Sequence, residues 1–316
     1  MLTPQDLGFV QRIPKLSSKT ANNGSRTYSV PGHRNLYKSV TTLIGKFAPK
    51  WGLQKWTEDL GEEESVRVRN RCATVGTKVH KLNECYFDRS PYTLVGEEAP
   101  EVITRHKLFL PILEKLNPLL IEEKMYWSDA TNTMGFGGTP DIIGAIKEDL
   151  STFLFEDKDR TIPFTGLPVG SVFVADYKNF LSAKSPNRLL EKYLQAAAYS
   201  MAVCQRSGGS LNPEHGLILA TTKTMLNVFY ITPSQMRWYK YFMQKMAECD
   251  AFNTKFDWKT FSEFSEGYMM NPNANWEADG QKKWVDREEN YLSKKLYTPK
   301  VSKAELAELQ VPYLIF

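Results

Sequence analysis

Apolar and polar positions change their period in blocks along this chain. In "SVTTLIGKF" Ser39 predicts an N-cap over Val40 to Phe47, with Pro49 as the stop. A second helix starts at Trp51 and runs to Leu60, a third covers 65–87, and a fourth, "PEVITRHKLFLPILEKL", is interrupted near Pro111. Short apolar runs then take over. Residues 119–128 and 135–146 read as strands, and "SVFVADYKNF", 171–180, reads as a third after a longer excursion that predicts a surface hairpin. "SPNRLLEKYLQAAAYSMAVC" returns to helix, with Ser185 as cap and Pro186 at the first position. "HGLILATT" and "MLNVFYIT" read as a hairpin of strands, and Thr232, Pro233 and Gln235 open a capped helix that runs to about Asp250. The polar segment 17–35 is loop or hairpin, and the tail from 256 to 316, without a clear period, reads as a peripheral arm. This order predicts an α/β fold: a mixed central sheet flanked by helices, preceded by an N-terminal helical region. The divisions fall at 1–118, 119–255 and 256–316 within one integrated domain.

Composition narrows the classes. The chain has 316 residues and 42 % hydrophobic positions, enough for a core. It has no apolar run of about 18 residues. The start, "MLTPQDLGFVQRIPKL", lacks a secretory pattern; Thr3, Pro4 and Asp6 read as a helix start, and the expected location is cytoplasmic. Cys72, Cys85, Cys204 and Cys249 are scattered and form no C-x-x-C pair, so reduced thiols are expected rather than a zinc or iron–sulfur site. A net charge of +4 permits a nucleic-acid partner if the cations gather on one face.

The chemistry centres on the third strand, where four apolar residues run into Asp176, Tyr177, Lys178 and Asn179. Strand alternation puts Asp176 and Lys178 on one face and Tyr177 on the other. One reading is a strand leaving the core for solvent. Asp141, at the end of "GFGGTPD", and Glu123 on the preceding strand suggest another: if the three strands are neighbours, Glu123, Asp141, Asp176 and Lys178 converge at one end of the sheet. Adjacent Glu122 and Glu123 point to opposite faces of a strand, and Glu123 is chosen by its spacing to "MYWS". Two carboxylates suit magnesium, and a lysine two residues on reaches the same phosphate without binding the metal. Gly76 and His80 share a face of the third helix, the glycine allowing close approach. His80 and Glu84 lack the paired histidines of a zinc motif. "FLFEDKDR", with Glu156 and Lys158, is a competing acid–lysine pair and lies at a different distance from Gln195.

These motifs in this order, Glu…"GGTPD"…"VADYK"…"YLQAAAYS", resemble the PD-(D/E)xK nuclease superfamily. More narrowly they resemble its RecB-like branch, which includes mitochondrial genome maintenance exonucleases and their phage relatives. "SVTTLIG", "GTKVHKLNE", "HGLILATT" and "ITPSQMRWYKYFMQKM" extend the resemblance over about 37–250. It implies a restriction-endonuclease-like core and a magnesium- or manganese-dependent DNA exonuclease acting on single strands or free ends, with a flap endonuclease or a non-catalytic DNA-binding accessory protein as alternatives. It implies Asp141, Asp176, the Tyr177 carbonyl and His80 as metal ligands, Lys178 as catalytic lysine, and Glu123 as upstream acid. Gln195 would orient Lys178 or the phosphate; Tyr199, Ser39 and Thr41 would contact DNA. Lys46, Lys50, Lys78, Lys184 and Arg188 are expected along the phosphate path, the N-terminal region as an arch, and "LQVPYLIF" as a candidate docking tail for a replication or recombination protein. The cysteine quartet of cluster-bearing members is missing.

Overall fold

A computed structural model describes residues 16–22, 24–47, 51–151, 154–157, 160–163, 167–182, 184, 189–256, 294–297, 304 and 314–315. Strands β1 (Ser17–Thr20), β2 (Arg26–Ser29) and β3 (Leu36–Lys38) form a small antiparallel sheet from the polar segment read as a hairpin. Helices α1 (Val40–Phe47), α2 (Trp51–Leu60), α3 (Glu62–Asp88) and, after the short β4 (Tyr92–Thr93), α4 (Ala99–Leu113) follow. Ser39 caps α1 as expected, its Oγ accepting the Thr42 N–H at 3.0 Å. Pro111 does not interrupt α4; it sits in the last turn, where one missing N–H bond leaves the preceding turns intact.

The two strands read as 119–128 and 135–146 are each divided. The structure gives β5 (Leu116–Ile121) and β6 (Met125–Ser128), then β7 (Gly135–Gly138) and β8 (Ile142–Ile146). β5 pairs with β8 in the large sheet, whereas β6 pairs with β7 in a separate ribbon. The whole is one long hairpin bent in the middle. The bend lies at 122–124 on one arm and 139–141 on the other, and Glu122 takes φ of 50° there, a left-handed conformation a strand cannot hold.

The excursion contributes β9 (Leu154–Asp157) and β10 (Arg160–Pro163), an antiparallel pair. Then come β11 (Val172–Asn179), α5 (Leu190–Arg206), β12 (His215–Thr221), β13 (Leu226–Ile231) and α6 (Pro233–Ala251). The tail expected as a peripheral arm instead supplies β14 (Lys294–Tyr297), seated between β13 and β9, and β15 (Leu314–Ile315), beside β4. The eight-stranded sheet runs β10-β9-β14-β13-β12-β11-β8-β5 and is mixed: β11 and β12 are parallel, joined through α5, and the other pairs are antiparallel. The expected caps at Thr3 and Ser185, and Pro49, lie outside the described residues. α6 has the capping box expected of it, Thr232 and Gln235 each accepting the other's backbone N–H.

Alternation along β11 sorts the core into two layers. Val174 faces α5, α6 and α1, while Phe173, Ala175 and Tyr177 face α3 and α4. The fold is thus α/β with a mixed sheet flanked by helices on both faces. No helix among the described residues is long and apolar enough to cross a membrane.

Candidate functional site

Register alone brings the acids together. Ile142 of β8 lies opposite Ala175 of β11 and Ile121 of β5. One residue further, Asp141 falls between Asp176 and Glu122, three carboxylates in one row across three neighbouring strands. Regular pairing stops at this row, and one side-chain and one main-chain hydrogen bond continue it. The Tyr177 N–H donates to Asp141 Oδ2 at 2.5 Å, and the Glu122 N–H donates to the Asp141 carbonyl at 3.3 Å. Asp176 is 1 % exposed and Asp141 8 %.

The upstream acid of this row is Glu122, which corrects the choice of Glu123. Glu123 would face the row only if strand geometry continued through "IEEK"; β5 ends at Ile121, and the positive φ of Glu122 turns it into the cluster. His80, Glu122 and Asp141 offer ligand atoms within 4.8 Å of one another. The only hint of this in the sequence was the pair of adjacent glutamates, which does not reveal where the strand ends.

α3 delivers His80, whose Nδ1 lies 3.1 Å from Asp141 Oδ1; its ring meets Tyr177 edge-on at 5.6 Å between centroids. Gly76, one turn earlier, does not permit unusually close approach: a Cβ there would lie 3.8 Å from Asn179 Nδ2, an ordinary contact. Glu84 pairs with Lys81 at 2.7 Å. Lys178 leans back so that its ammonium contacts both Asp176 Oδ2 and, at 3.1 Å, the Tyr177 carbonyl. The ammonium pairs with the buried carboxylate and offsets part of the cost of burying it.

Charge divides the two central carboxylates. Burial pushes both up. At Asp141 the His80 charge, the His80 hydrogen bond and Lys178 outweigh burial, so its pKa lies below the ordinary carboxylate value. At Asp176 burial prevails over Lys178, and Asp141 adds repulsion, so its pKa is raised. Desolvation of its carboxyl and then the Asp141 charge push Glu122 up to about 7, although much of the residue remains in water. Burial lowers His80, but Asp141 more than reverses this and leaves it raised.

On α5, Gln195 and Tyr199 are buried one turn apart, and Gln195 Nε2 donates to Tyr199 Oη at 3.1 Å. Gln195 makes no hydrogen bond to Lys178 among the described residues. Tyr199 senses the site: burial and then the Asp176 charge push its pKa up. Ser39 is 5 % exposed, with its hydroxyl occupied in the α1 cap, and Thr41 is exposed with its hydroxyl 3.1 Å from that of Ser39. Of the expected phosphate path, Lys46 pairs with Asp250 at 2.6 Å, Lys78 pairs with Glu98, and Lys184 lies 5.7 Å from the Phe180 ring centroid; Lys50 and Arg188 lie outside the described residues. Of the competing pair, Glu156 is on β9, four strands from β11 or roughly 19 Å away, and Lys158 lies outside the described residues. Trp127 is partly buried and stacks on Phe136 at 5.2 Å. The four cysteines are free thiols. No family model matches the chain, and no curated protein matches it either.

Proposed function

We propose that this chain is a metal-dependent DNA exonuclease with a PD-(D/E)xK core, hydrolysing phosphodiester bonds of single strands or free ends. The observation that carries the reading is the row Glu122–Asp141–Asp176, with Lys178 and His80 closing on it from two sides. His80, Glu122 and Asp141 offer one imidazole and two carboxylates within 4.8 Å of one another, and Asp176 stands next to Asp141 in the row, so this mostly oxygen donor set fits a small divalent cation. Held by Asp141, Asp176, His80, Glu122 and the Tyr177 carbonyl, magnesium or manganese would supply a Lewis acid toward water and phosphate.

The chain's own residues do the rest. The Tyr177 N–H and His80 fix both oxygens of Asp141 and keep it ionised. Lys178 has a flexible stem and a side chain 19 % exposed, so its ammonium can meet charge developing on an attacked phosphoryl group. Tyr199 and Gln195 close the α5 side as a rigid hydrogen-bonded wall. The reading places the substrate at the open end of the strands, where a free end enters under the N-terminal region.

The test compares wild type with Lys178→Ala on end-labelled linear and on circular single-stranded DNA, with magnesium and with EDTA. Metal-dependent loss of the linear strand, sparing the circle and reduced about 10²–10³-fold in the variant, is the expected result. Cutting of the circle would make the protein an endonuclease. A wild type that cleaves neither DNA nor branched substrates with either metal would reduce it to a binding protein.

A further inference from the structure

Asn179 follows Lys178, so its side chain leaves β11 on the opposite face, toward α3 and α4. A pocket of about 190 Å³ opens there. Arg67 and Arg71, one turn apart on α3, Arg105 of α4 and Lys223 in the β12–β13 turn bring four cations to its walls. Glu101 brings the one carboxylate and is already shared: it accepts Arg105 Nη2 at 2.8 Å, Arg105 Nε at 3.0 Å and Arg71 Nη2 at 2.9 Å. Arg67 pairs with Glu64, which does not line the pocket, and exposed Lys223 makes no ion pair among the described residues. The pocket therefore carries excess positive charge.

Its frame is rigid. Arg105 is 2 % exposed and donates to the carbonyls of Phe180 and Thr221, each at 3.1 Å, which ties α4 to the ends of β11 and β12. Asn179 Oδ1 accepts the Thr221 hydroxyl at 2.8 Å. Arg105 thus shapes the site, while Arg67, Arg71 and Lys223 bring exposed cationic ends to it. A concave site with several guanidinium forks and too few carboxylates matches an anion with several acceptor oxygens.

We propose that this pocket is a phosphate-binding subsite that takes a phosphate group of the nucleic-acid strand, other than the one cleaved. The phosphate chemistry stands on the pocket itself; its assignment to a DNA strand rests on the nuclease reading. Adjacent residues of one strand, Lys178 and Asn179, face the two sites, so a strand rounding the end of β11 meets both.

The test is made in EDTA, without cleavage, on the full chain. Binding of a 3′-labelled single strand with a 5′-phosphate or a 5′-hydroxyl is measured against salt for wild type, Arg71→Ala/Lys223→Ala and Lys223→Glu. Thermal midpoints are measured with and without inorganic phosphate. The double variant should lose on the order of tenfold in strand affinity, with a salt slope shallower by about 1.4 for two lost contacts. Inorganic phosphate should raise the midpoint of wild type but not of the variants. A loss confined to the 5′-phosphorylated strand assigns the pocket to a terminal phosphate, and an equal loss assigns it to an internal one. Unchanged affinity and salt slope in both variants overturn the proposal; a phosphate response of wild type that the variants lose would then mark free phosphate as the pocket's ligand, and one that they keep would place phosphate elsewhere. Loss of strand affinity in a protein whose wild type never cleaves would sink the nuclease reading and leave the subsite standing.

Discussion

The end of β11 separates two regions of opposite character. On one side Asp176 joins Asp141 and Glu122 in a row of acids with Lys178 and His80 against it; on the other, Arg67, Arg71, Arg105 and Lys223 surround the single carboxylate of Glu101. Both lean on α3, which sends His80 to the first and its N-terminal arginines to the second. The acidic region is buried and made by sheet register; the basic one is more open and made by helix faces. Buried like charge raises the cost of ionisation, whereas Arg67, Arg71 and Lys223 stand largely in water around a pocket framed by buried Arg105. The first therefore suits a tightly held small cation, and the second a loosely held anion.

Asp176→Asn gives the widest separation. Its raised pKa means that the ionised form costs stability at neutral pH, so removing the charge should leave the thermal midpoint equal or higher. Cleavage should fall by about 10³-fold or more, while strand binding through the basic pocket persists. Parallel melting, cleavage and binding assays check this; a lower midpoint would mean that Lys178 depends on Asp176 for its own accommodation.

Paired substitutions at the neighbouring glutamates sharpen the acidic side. Glu122→Gln should weaken magnesium-dependent cleavage about 10–100-fold, while Glu123→Gln stays near wild type. Magnesium titrations of activity distinguish the two, and the reverse ranking would restore Glu123 to the cluster.

The shared support has its own pH signature. His106 of α4 bonds Asn83 of α3 at 2.7 Å, and burial, with Lys107 adding to it, pushes its pKa down to about 3 from 6.5. The folded state resists the proton that the unfolded chain accepts. Stability is therefore intact above pH 6.5 and lost as pH falls from 6.5 toward 3, by about 1.4 kcal/mol per pH unit. Urea midpoints at pH 7 and pH 5 should show this slope in wild type and a flatter one in His106→Gln.

The smallest effect concerns the boundary between the regions. Gly76→Ala adds a methyl at ordinary contact distance from Asn179 and removes a helical glycine, so stability should rise by about 0.5–1 kcal/mol without change at either site. A drop in strand affinity would show that α3 must approach β11 more closely when substrate is bound.

Local signals carried much of this protein. Ser39, Thr232 and Gln235 marked helix starts because a cap is settled within four residues, and "VFVADYKNF" revealed its strand and the alternation that opposes Lys178 to Asn179. The acids Asp141 and Asp176 stood out because charge beside an apolar run needs compensation wherever the run folds, and His80 through the motif that carries the resemblance. Only the tertiary structure decided the rest. The bend that divides 119–128 and 135–146 lies between strands of two different sheets, and Glu122 rather than Glu123 follows from where pairing stops. β14 reaches the large sheet from some sixty residues beyond β13. The basic pocket draws residues from α3, α4, β11 and a turn, and no spacing within one element reveals it. The physical reason is common to all three: period and capping are set by neighbours along the chain, while register, bends and pockets are set by partners that the chain meets only once folded.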